Sequence, residues 1–285
     1  MIVCLLGPSG IGKTKLSIYL AKKLDAIILN ADATQIYKML NIGSAKITEE
    51  EKENVPHFLF DIKYPNEDYS VCDYQKDGRE ILEKYKNKNI IVVGGTGLYI
   101  NALFNNYEFS KMKDNNYDAL SNEELYNLAL KKDENMQIHK NNRVRLINFL
   151  NRNKTSNKKD EKLYNPIFIG LTLDRESLYN IANLRVEKMF DKGLLKEVED
   201  LFSKYEDSKI LKRAIGYKEF IPFFENKISL DEVKETIQKN TRHYIKRQYT
   251  WFNNQTNAKW FNVDQKNFST TCEEVLNYIL SLNSK

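Results

Sequence analysis

Apolar residues occur along the chain in two patterns that together predict a parallel sheet covered by helices. Four short continuous apolar runs are typical of strands buried on both faces, and they occupy residues 2–6, 26–29, 90–93 and 167–173. After the first run, Leu16, Leu20 and Leu24 recur at helical spacing. Strands that alternate with amphipathic helices form parallel sheets with helices on both faces. The sequence therefore predicts an α/β fold.

The alternation stops in the middle of the chain. From about residue 111 the sequence is polar and rich in Asn and Lys, and the only periodic segments there are helical. We predict a small all-helical domain inserted into the α/β core. The predicted division is residues 1–110 as the first part of the core, residues 111–163 as the insertion, and residues 164–285 as the second part with C-terminal helices.

The last third of the chain shows only helical patterns after the run at 167–173. We expect two of its helices at residues 230–239 and 241–252. Basic residues concentrate there and in the insertion, where residues 131–162 contain ten basic and four acidic side chains. Such a charge cluster either contacts nucleic-acid phosphates or forms a solvated helix face.

Composition narrows the class of protein further. The 285 residues are 41% hydrophobic, which suits one large core, and the net charge of +5 permits a polyanionic partner without demanding one. The three cysteines are far apart and form no CxxC pair, which argues against a zinc site and favours a reducing compartment. No apolar stretch approaches the ~18 residues of a membrane span. We therefore expect a cytoplasmic monomer without membrane contact.

The segment after the first strand matches the phosphate-binding pattern GxxxxGK[ST] in full. Its eight residues, all expected to bind phosphate, are Gly7, Pro8, Ser9, Gly10, Ile11, Gly12, Lys13 and Thr14. Glycines let backbone N–H groups turn inward, and the following helix adds the positive end of its dipole. Lys13 supplies a charge for the outer phosphates, and the Thr14 hydroxyl is placed to hold Mg²⁺. The loop narrows the predicted α/β fold to a P-loop NTPase-like fold.

A phosphate loop does not identify the reaction, so the ends of the other strands matter. ATPases and GTPases usually place an acid after a hydrophobic strand to hold Mg²⁺, but the run at 90–93 is followed by Gly-Gly-Thr. This favours transfer chemistry over hydrolysis unless Asp32 or Asp174, which follow other strands, takes that role. Asp32 lies where ligands of open parallel sheets bind, and it is either a general base or a turn residue.

Several motifs together resemble one family, the tRNA dimethylallyltransferases, also called tRNA isopentenyltransferases. Beside the phosphate loop, the matching segments are residues 32–37 (DATQIY), 42–46 (IGSAK), 56–57 (PH), 61–62 (DI), 69–70 (YS), 94–99 (GGTGLY), 213–217 (RAIGY), 241–248 (TRHYIKRQ) and 250–251 (TW). The loop alone is unspecific, whereas the ordered set is highly specific. The resemblance implies transfer of a dimethylallyl group from dimethylallyl diphosphate to the exocyclic amine of the adenosine 3′ of the tRNA anticodon, with release of pyrophosphate.

The resemblance also implies residue roles. Asp32 would orient the amine and take up its proton, and Thr96 would hydrogen-bond near the reacting carbon or the bridging oxygen. Arg213, the phosphate loop and Mg²⁺ on Thr14 would offset the charge of the departing pyrophosphate. The residues expected to contact the tRNA anticodon stem-loop are Asp32, Ala33, Thr34, Gln35, Arg145, Arg242, Lys246 and Arg247.

The chain departs from the family pattern at two positions. The family usually has Ser after the catalytic Asp, where this chain has Ala33, and a second Arg three residues after Arg145, where this chain has Asn148.

Other functions compete with tRNA modification. They are a P-loop kinase of a nucleotide or small metabolite, a prenyltransferase that acts on free AMP or ATP, and a non-catalytic RNA-binding protein, against which the intact loop with Asp32 and Arg213 argues.

Overall fold

The computed structural model describes residues 1–107, 109, 115–151 and 158–283. In chain order its strands are β1 (Ile2–Leu6), β2 (Ala26–Asn30), β3 (His57–Phe58), β4 (Asn89–Val93), β5 (Asn105–Tyr107), β6 (Lys158–Lys162), β7 (Ile167–Thr172) and β8 (Lys259–Asn262). Six of them form one sheet in the order β3-β2-β4-β1-β7-β8, and every neighbouring pair is parallel. The predicted parallel α/β fold is confirmed.

Helices cover both faces of this sheet. The helices of the described residues are, in chain order, α1 (Lys13–Leu24), α2 (Val71–Lys84), α3 (Gly97–Phe104), α4 (Asn122–Lys132), α5 (Arg143–Asn151), α6 (Arg175–Asp191), α7 (Leu194–Lys204), α8 (Ile221–Phe224), α9 (Leu230–Gln255) and α10 (Phe268–Asn283). Helices α4 and α5 belong to a separate compact unit and are not part of this layer. Side chains of α2, α3 and α7 join the core on one face, and those of α1 and α10 join the core on the other.

The alternation of side chains within each strand explains why both faces are covered. In β1, Cys4 and Leu6 belong to one core, while Val3 and Leu5 belong to the other, and all four are buried. Burying an aliphatic side chain stabilises a fold by about 1.5–3 kcal/mol, so an uncovered face would be costly. Because all strands of the sheet are parallel, the loops that follow β1, β2 and β4 lie at the same edge.

The chain forms two compact units. One consists of Met1–Phe104 together with Tyr164–Lys285, and the other is Asn105–Leu163. The second unit has its own small core, which includes Leu125, Ala129 and Leu146 on α4 and α5. The predicted boundary between residues 110 and 111 lies outside the described residues, and the compact unit begins earlier, at Asn105.

The prediction that this insertion is all-helical is wrong. Strands β5 and β6 pair antiparallel within it. Strand β6 has the sequence Lys-Lys-Asp-Glu-Lys. Because this sequence has no alternation of apolar and polar residues, it could not be predicted as a strand. Of the basic residues counted between 131 and 162, Arg152 and Lys154 lie outside the described residues.

Two further expectations for the last third of the chain need correction. Helix α9 is continuous over 26 residues, not two helices that break near residue 240. Strand β8 follows it and pairs with β7 at the edge of the sheet, where only helices were expected. In the described part of the chain, no helix has both the length and the apolar character that crossing a bilayer requires.

Candidate active site

The loop after β1 curls around the start of α1. Gly7, Gly10 and Gly12 have φ angles of 144°, 86° and 103°, which glycine adopts without strain. Helix α1 begins at Lys13, so the free N–H groups of its first turn adjoin the loop. The predicted phosphate loop therefore has the backbone shape of an anion cradle.

The Lys13 side chain folds back over this loop. Its Nζ donates hydrogen bonds of 2.8 Å to the carbonyl oxygens of Gly7 and Pro8. Burial, and after it the positive charge of Arg185, lowers the pKa of Lys13 to about 8, while the negative charge of Asp32 acts in the opposite direction. The three charges therefore interact in one place, although 172 positions separate Lys13 from Arg185 in the sequence.

Asp32 is held in a turn directly after β2. Its Oδ1 accepts the backbone N–H of Thr34 at 3.0 Å, and its own N–H donates to Oδ1 of Asn30 at 2.9 Å. The side chain also lines two cavities. The turn interpretation of Asp32 is therefore confirmed, and this turn lies at the wall of both cavities. The role of Asp32 as a general base stays a prediction. Asp174, the other acid that follows a strand, caps α6 by accepting the N–H of Ser177 at 2.9 Å.

Thr96 lies beside the Asp32 loop. Its backbone N–H donates to the carbonyl of Ala31 at 3.0 Å, and its hydroxyl accepts the N–H of Ala33 at 3.0 Å. A Cβ at Gly94 would overlap the backbone of Ala31, so a glycine is needed for this close approach. The loops after β2 and β4 are therefore docked directly onto each other.

Two cavities meet at this edge of the sheet, with volumes of about 670 and 370 Å³. The larger is lined by five of the eight phosphate-loop residues, which are Ser9, Gly10, Gly12, Lys13 and Thr14. The other three, Gly7, Pro8 and Ile11, are buried and do not line it. The walls that both cavities share are formed by Ser9, Asp32, Ser44 and Arg185. A group bound in one cavity can therefore reach a group bound in the other beside Asp32.

Arg185 is a site residue that was not predicted. One of its guanidinium nitrogens donates to Ser9 Oγ at 2.9 Å, and another donates to the carbonyl of Ser44 at 3.4 Å. Burial lowers its pKa, and the negative charge of Asp32 opposes this effect. In the sequence, Arg185 stands among the apolar positions of a helix, and no local motif distinguishes it. Arg185 lies one helical turn before the core residue Met189, and this spacing does not distinguish a site residue from any other residue of a helix.

Gln248 of α9 ends the 241–248 motif, and the sequence alone indicates no role for its side chain. Its side chain is buried, its Oε1 accepts the backbone N–H of Ser9 at 3.2 Å, and its Nε2 donates to the carbonyl of Gly95 at 3.2 Å. Tyr244, one turn earlier, donates to the same carbonyl at 3.0 Å. Helix α9 therefore ties the phosphate loop to the loop that carries Thr96.

Arg213 lies on the wall of the smaller cavity, together with Asp32 and Thr96. It is exposed, and its guanidinium makes no hydrogen bond or ion pair with any described residue. The structure thus brings all three predicted catalytic residues to one cavity. Their roles in catalysis stay predictions.

The residues predicted to contact tRNA are distributed over several places. Ala33, Thr34 and Arg247 line the smaller cavity. Gln35 lines the larger cavity instead, and its Nε2 donates to the carbonyl of Ser44 at 3.2 Å.

The remaining predicted tRNA contacts lie on helices. Lys246 is exposed beside a separate groove on α9, whereas Arg242 donates to Oδ1 of Asn183 at 2.7 Å. Arg145 and Asn148 are exposed on α5 of the second unit. Contact of Lys246, Arg242 and Arg145 with tRNA stays a prediction, and Asn148 marks the position where the family usually has a second Arg.

The larger cavity offers few protein ligands to a metal ion, which suits a metal that is bound mainly by the substrate. Within the described residues, no three His, Cys, Asp or Glu side chains are grouped as metal ligands. The Thr14 hydroxyl, which lies on the larger cavity, can supply one oxygen to Mg²⁺. Two cations and the first turn of α1, whose N–H groups have no partner within the helix, border the same space. The larger cavity is therefore suited to hold an anion beside a carboxylate.

Comparison with known proteins agrees with this geometry. The model of the IPP transferase family matches residues 35–255. A tRNA dimethylallyltransferase of Fusobacterium nucleatum is 45% identical over 277 residues, with 92% of this chain and 91% of that relative covered. One from Bacillus anthracis is 40% identical, with 98% and 95% covered.

Solved structures of the same kind are also similar. The tRNA isopentenylpyrophosphate transferase of Bacillus halodurans superposes with a TM-score of 0.77 at 34% identity, covering 98% of this chain and 95% of that one. A eukaryotic dimethylallyltransferase acting on tRNA superposes with a TM-score of 0.78 at 25% identity, covering 92% and 73%. With a matched model and relatives along almost its whole length, the chain belongs to the IPP transferase family, that of the tRNA dimethylallyltransferases.

Proposed function

We propose that this protein transfers a dimethylallyl group from dimethylallyl diphosphate to the exocyclic amine of the adenosine 3′ of the anticodon in tRNA. The observation that carries the proposal is the position of Asp32, which lies on the walls of both cavities. One cavity contains the phosphate loop, and the other contains Arg213 and the basic helix α9. A diphosphate ester in the first can then meet an amine in the second beside a carboxylate.

The larger cavity is the proposed site of the diphosphate. Backbone N–H groups at the start of α1 would receive its oxygens. Lys13 and Arg185 would supply positive charge, and both can exchange their present hydrogen bonds to the protein for bonds to phosphate. As the C–O bond to the diphosphate breaks, negative charge grows on the leaving group, so fixed cations there stabilise the transition state.

Mg²⁺ is the proposed cofactor, with the Thr14 hydroxyl as its protein ligand. When bound, it would neutralise charge on the diphosphate oxygens. Thr14 directly follows Lys13 at the start of α1. The metal ligand and the lysine would therefore hold the same diphosphate from neighbouring positions.

Asp32 is the proposed base. An exocyclic adenine amine is a weak nucleophile, because its lone pair is delocalised into the ring. The Asp32 carboxylate would accept a hydrogen bond from the amine and take its proton as the N–C bond forms and the C–O bond breaks. Thr96, docked onto the Asp32 loop through Ala33, would hydrogen-bond near the reacting carbon.

The smaller cavity is the proposed site of the adenine, which must leave its stack to reach Asp32. Arg247 lines this cavity, and Lys246 is exposed beside it in sequence, so α9 can offer cations to tRNA phosphates. The anticodon stem-loop is the proposed partner. We also propose that the protein is a monomer and that it acts in the cytoplasm, a reducing compartment in which its free cysteines would persist.

Product analysis tests the proposal. The protein is incubated with dimethylallyl diphosphate, Mg²⁺ and one acceptor, which is unmodified tRNA, AMP or ATP. The tRNA is then digested to nucleosides, and prenylated adenosine is identified in each reaction by mass spectrometry. Prenylated adenosine from tRNA alone is expected, and Asp32→Asn should form little. Product from AMP or ATP without product from tRNA would refute the tRNA assignment. Transfer of labelled phosphate from ATP to a small acceptor would instead support a kinase.

A further inference from the structure

The carboxylate of Glu197, on α7, is surrounded by hydrogen-bond donors. It accepts three consecutive backbone N–H groups, from Asn41 at 3.1 Å, Ile42 at 2.7 Å and Gly43 at 3.0 Å. It also accepts the hydroxyl of Tyr217 at 2.8 Å. An ionised carboxylate can accept all four bonds, whereas an amide offers a single acceptor oxygen. Glu197 therefore fixes a loop and a distant tyrosine at the same time.

The loop that Glu197 holds continues directly into the site. Ser44 follows Gly43 and lines both cavities. Its carbonyl oxygen accepts hydrogen bonds from Arg185 and from Gln35. A shift of this loop would therefore move the acceptor that helps to aim the Arg185 guanidinium.

The tyrosine that Glu197 holds ends the segment that carries Arg213. The Tyr217 ring lies so close to Gly43 that a Cβ there would come within 2.5 Å of it. Gly216, with a φ of 93°, also faces Gly43. The loop and the segment thus form one tight junction, and Arg213 projects from it at the smaller cavity.

We propose that Glu197 is a positioning residue, which holds the 41–44 loop against the 213–217 segment so that Arg185 keeps its place between the two cavities and Arg213 keeps its place on the wall of the smaller one. This rests on the proposed function. Glu197 lines neither cavity, so it would act through other residues rather than on the substrate. Its carboxylate links the placement of one cation to that of the other, although they stand on separate elements.

The test compares Glu197→Gln with Glu199→Gln, a matched change at an exposed position of the same helix. Misplacement by about 1 Å can cost on the order of a hundredfold in rate. We expect Glu197→Gln to lower kcat roughly tenfold to hundredfold, with the KM for tRNA unchanged and with less than a twofold effect in the control. A kcat equal to that of the control would overturn the proposal.

Two further measurements separate positioning from simple loss of stability. Each rate is normalised to the folded fraction from a thermal melt, and Glu197→Gln is combined with Arg185→Lys. If Glu197 acts through Arg185, the double variant should lose less than the product of the two single losses. Losses that multiply independently, or that vanish after normalisation, contradict the role.

If Glu197→Gln does not fold, Tyr217→Phe takes its place, because it removes one bond and keeps the ring against Gly43. It should lower kcat by a smaller factor, and an unchanged kcat would then refute the proposal. The tRNA product of the unaltered protein is measured alongside. Absence of that product would refute the proposed function, whereas a normal unaltered protein with an active Glu197→Gln variant refutes only the role of Glu197.

Discussion

The neighbouring positive charges of Lys13 and Arg185 should make substrate capture depend on pH. Burial, and then Arg185, lowers the pKa of Lys13 to about 8 in the free protein. Only the protonated side chain can offset the charge of a diphosphate. As the pH rises through 8, Lys13 loses its proton, so kcat/KM for dimethylallyl diphosphate should fall, because this ratio reports ionisations of the free enzyme.

The expected size follows from the titration curve. With a pKa of about 8, the protonated fraction falls about tenfold between pH 7 and pH 9. In Arg185→Gln a repulsive neighbour is removed while burial remains, so the fall should move to higher pH. The same change removes a cation from the leaving group, which should lower kcat by roughly 10²–10³-fold.

The assay measures initial rates with limiting dimethylallyl diphosphate across this pH range. Arg175→Gln serves as the control, since Arg175 lies on the same helix and bonds to Tyr179 at 3.1 Å. Its profile should match that of the unaltered protein. If Arg185→Gln keeps the original midpoint, or if the unaltered protein shows no fall by pH 9.5, then the proposed charge interaction is wrong.

Three other predictions concern single side chains. Asp32→Asn should lower kcat by about 10²–10⁴-fold and leave tRNA affinity in a gel shift within about twofold; a near-normal kcat would exclude Asp32 as the base. Gln248→Leu leaves the buried Gly95 carbonyl without the bond from Gln248 and removes the bond to the Ser9 N–H, so it should lower the free energy of unfolding by about 1–3 kcal/mol; an unchanged denaturant midpoint would contradict this. Lys246→Gln should weaken tRNA binding and lower the slope of log affinity against log salt by about 1, without a change in KM for dimethylallyl diphosphate; an unchanged slope would show that Lys246 makes no phosphate contact.

The central strands and the phosphate loop could be predicted from sequence because their signals are local. A strand covered on both faces is a continuous apolar run, as in β1 and β4. Strands at the edge have no such run, since β3 has two residues and β8 is only half-buried. The break expected in α9 was wrong because Asn240 and Thr241 favour helix only weakly, whereas Asn240 is fixed in the fold by a bond of 2.7 Å to Glu219.

Site residues that act through distant partners were missed for a different reason. Arg185 contacts Ser9 across 176 positions, and Gln248 contacts it across 239. Only the packing of α6 and α9 brings these side chains to the phosphate loop. The meeting of the loops after β2 and β4 is different, because parallel strands place their carboxyl ends together whatever lies between them, and a sequence that predicts the strands predicts this too.

The second unit leaves the core at Phe104 and returns at Tyr164, and these two residues are neighbours in space. The Tyr164 N–H donates to the Phe104 carbonyl at 3.4 Å, and their rings are 6.5 Å apart. Residues 105–163 can therefore be excised and the gap closed by a few glycines and serines. Such a shortened protein would show whether the core alone supports prenylation of a free nucleotide, and hence which of the two units makes tRNA the preferred acceptor.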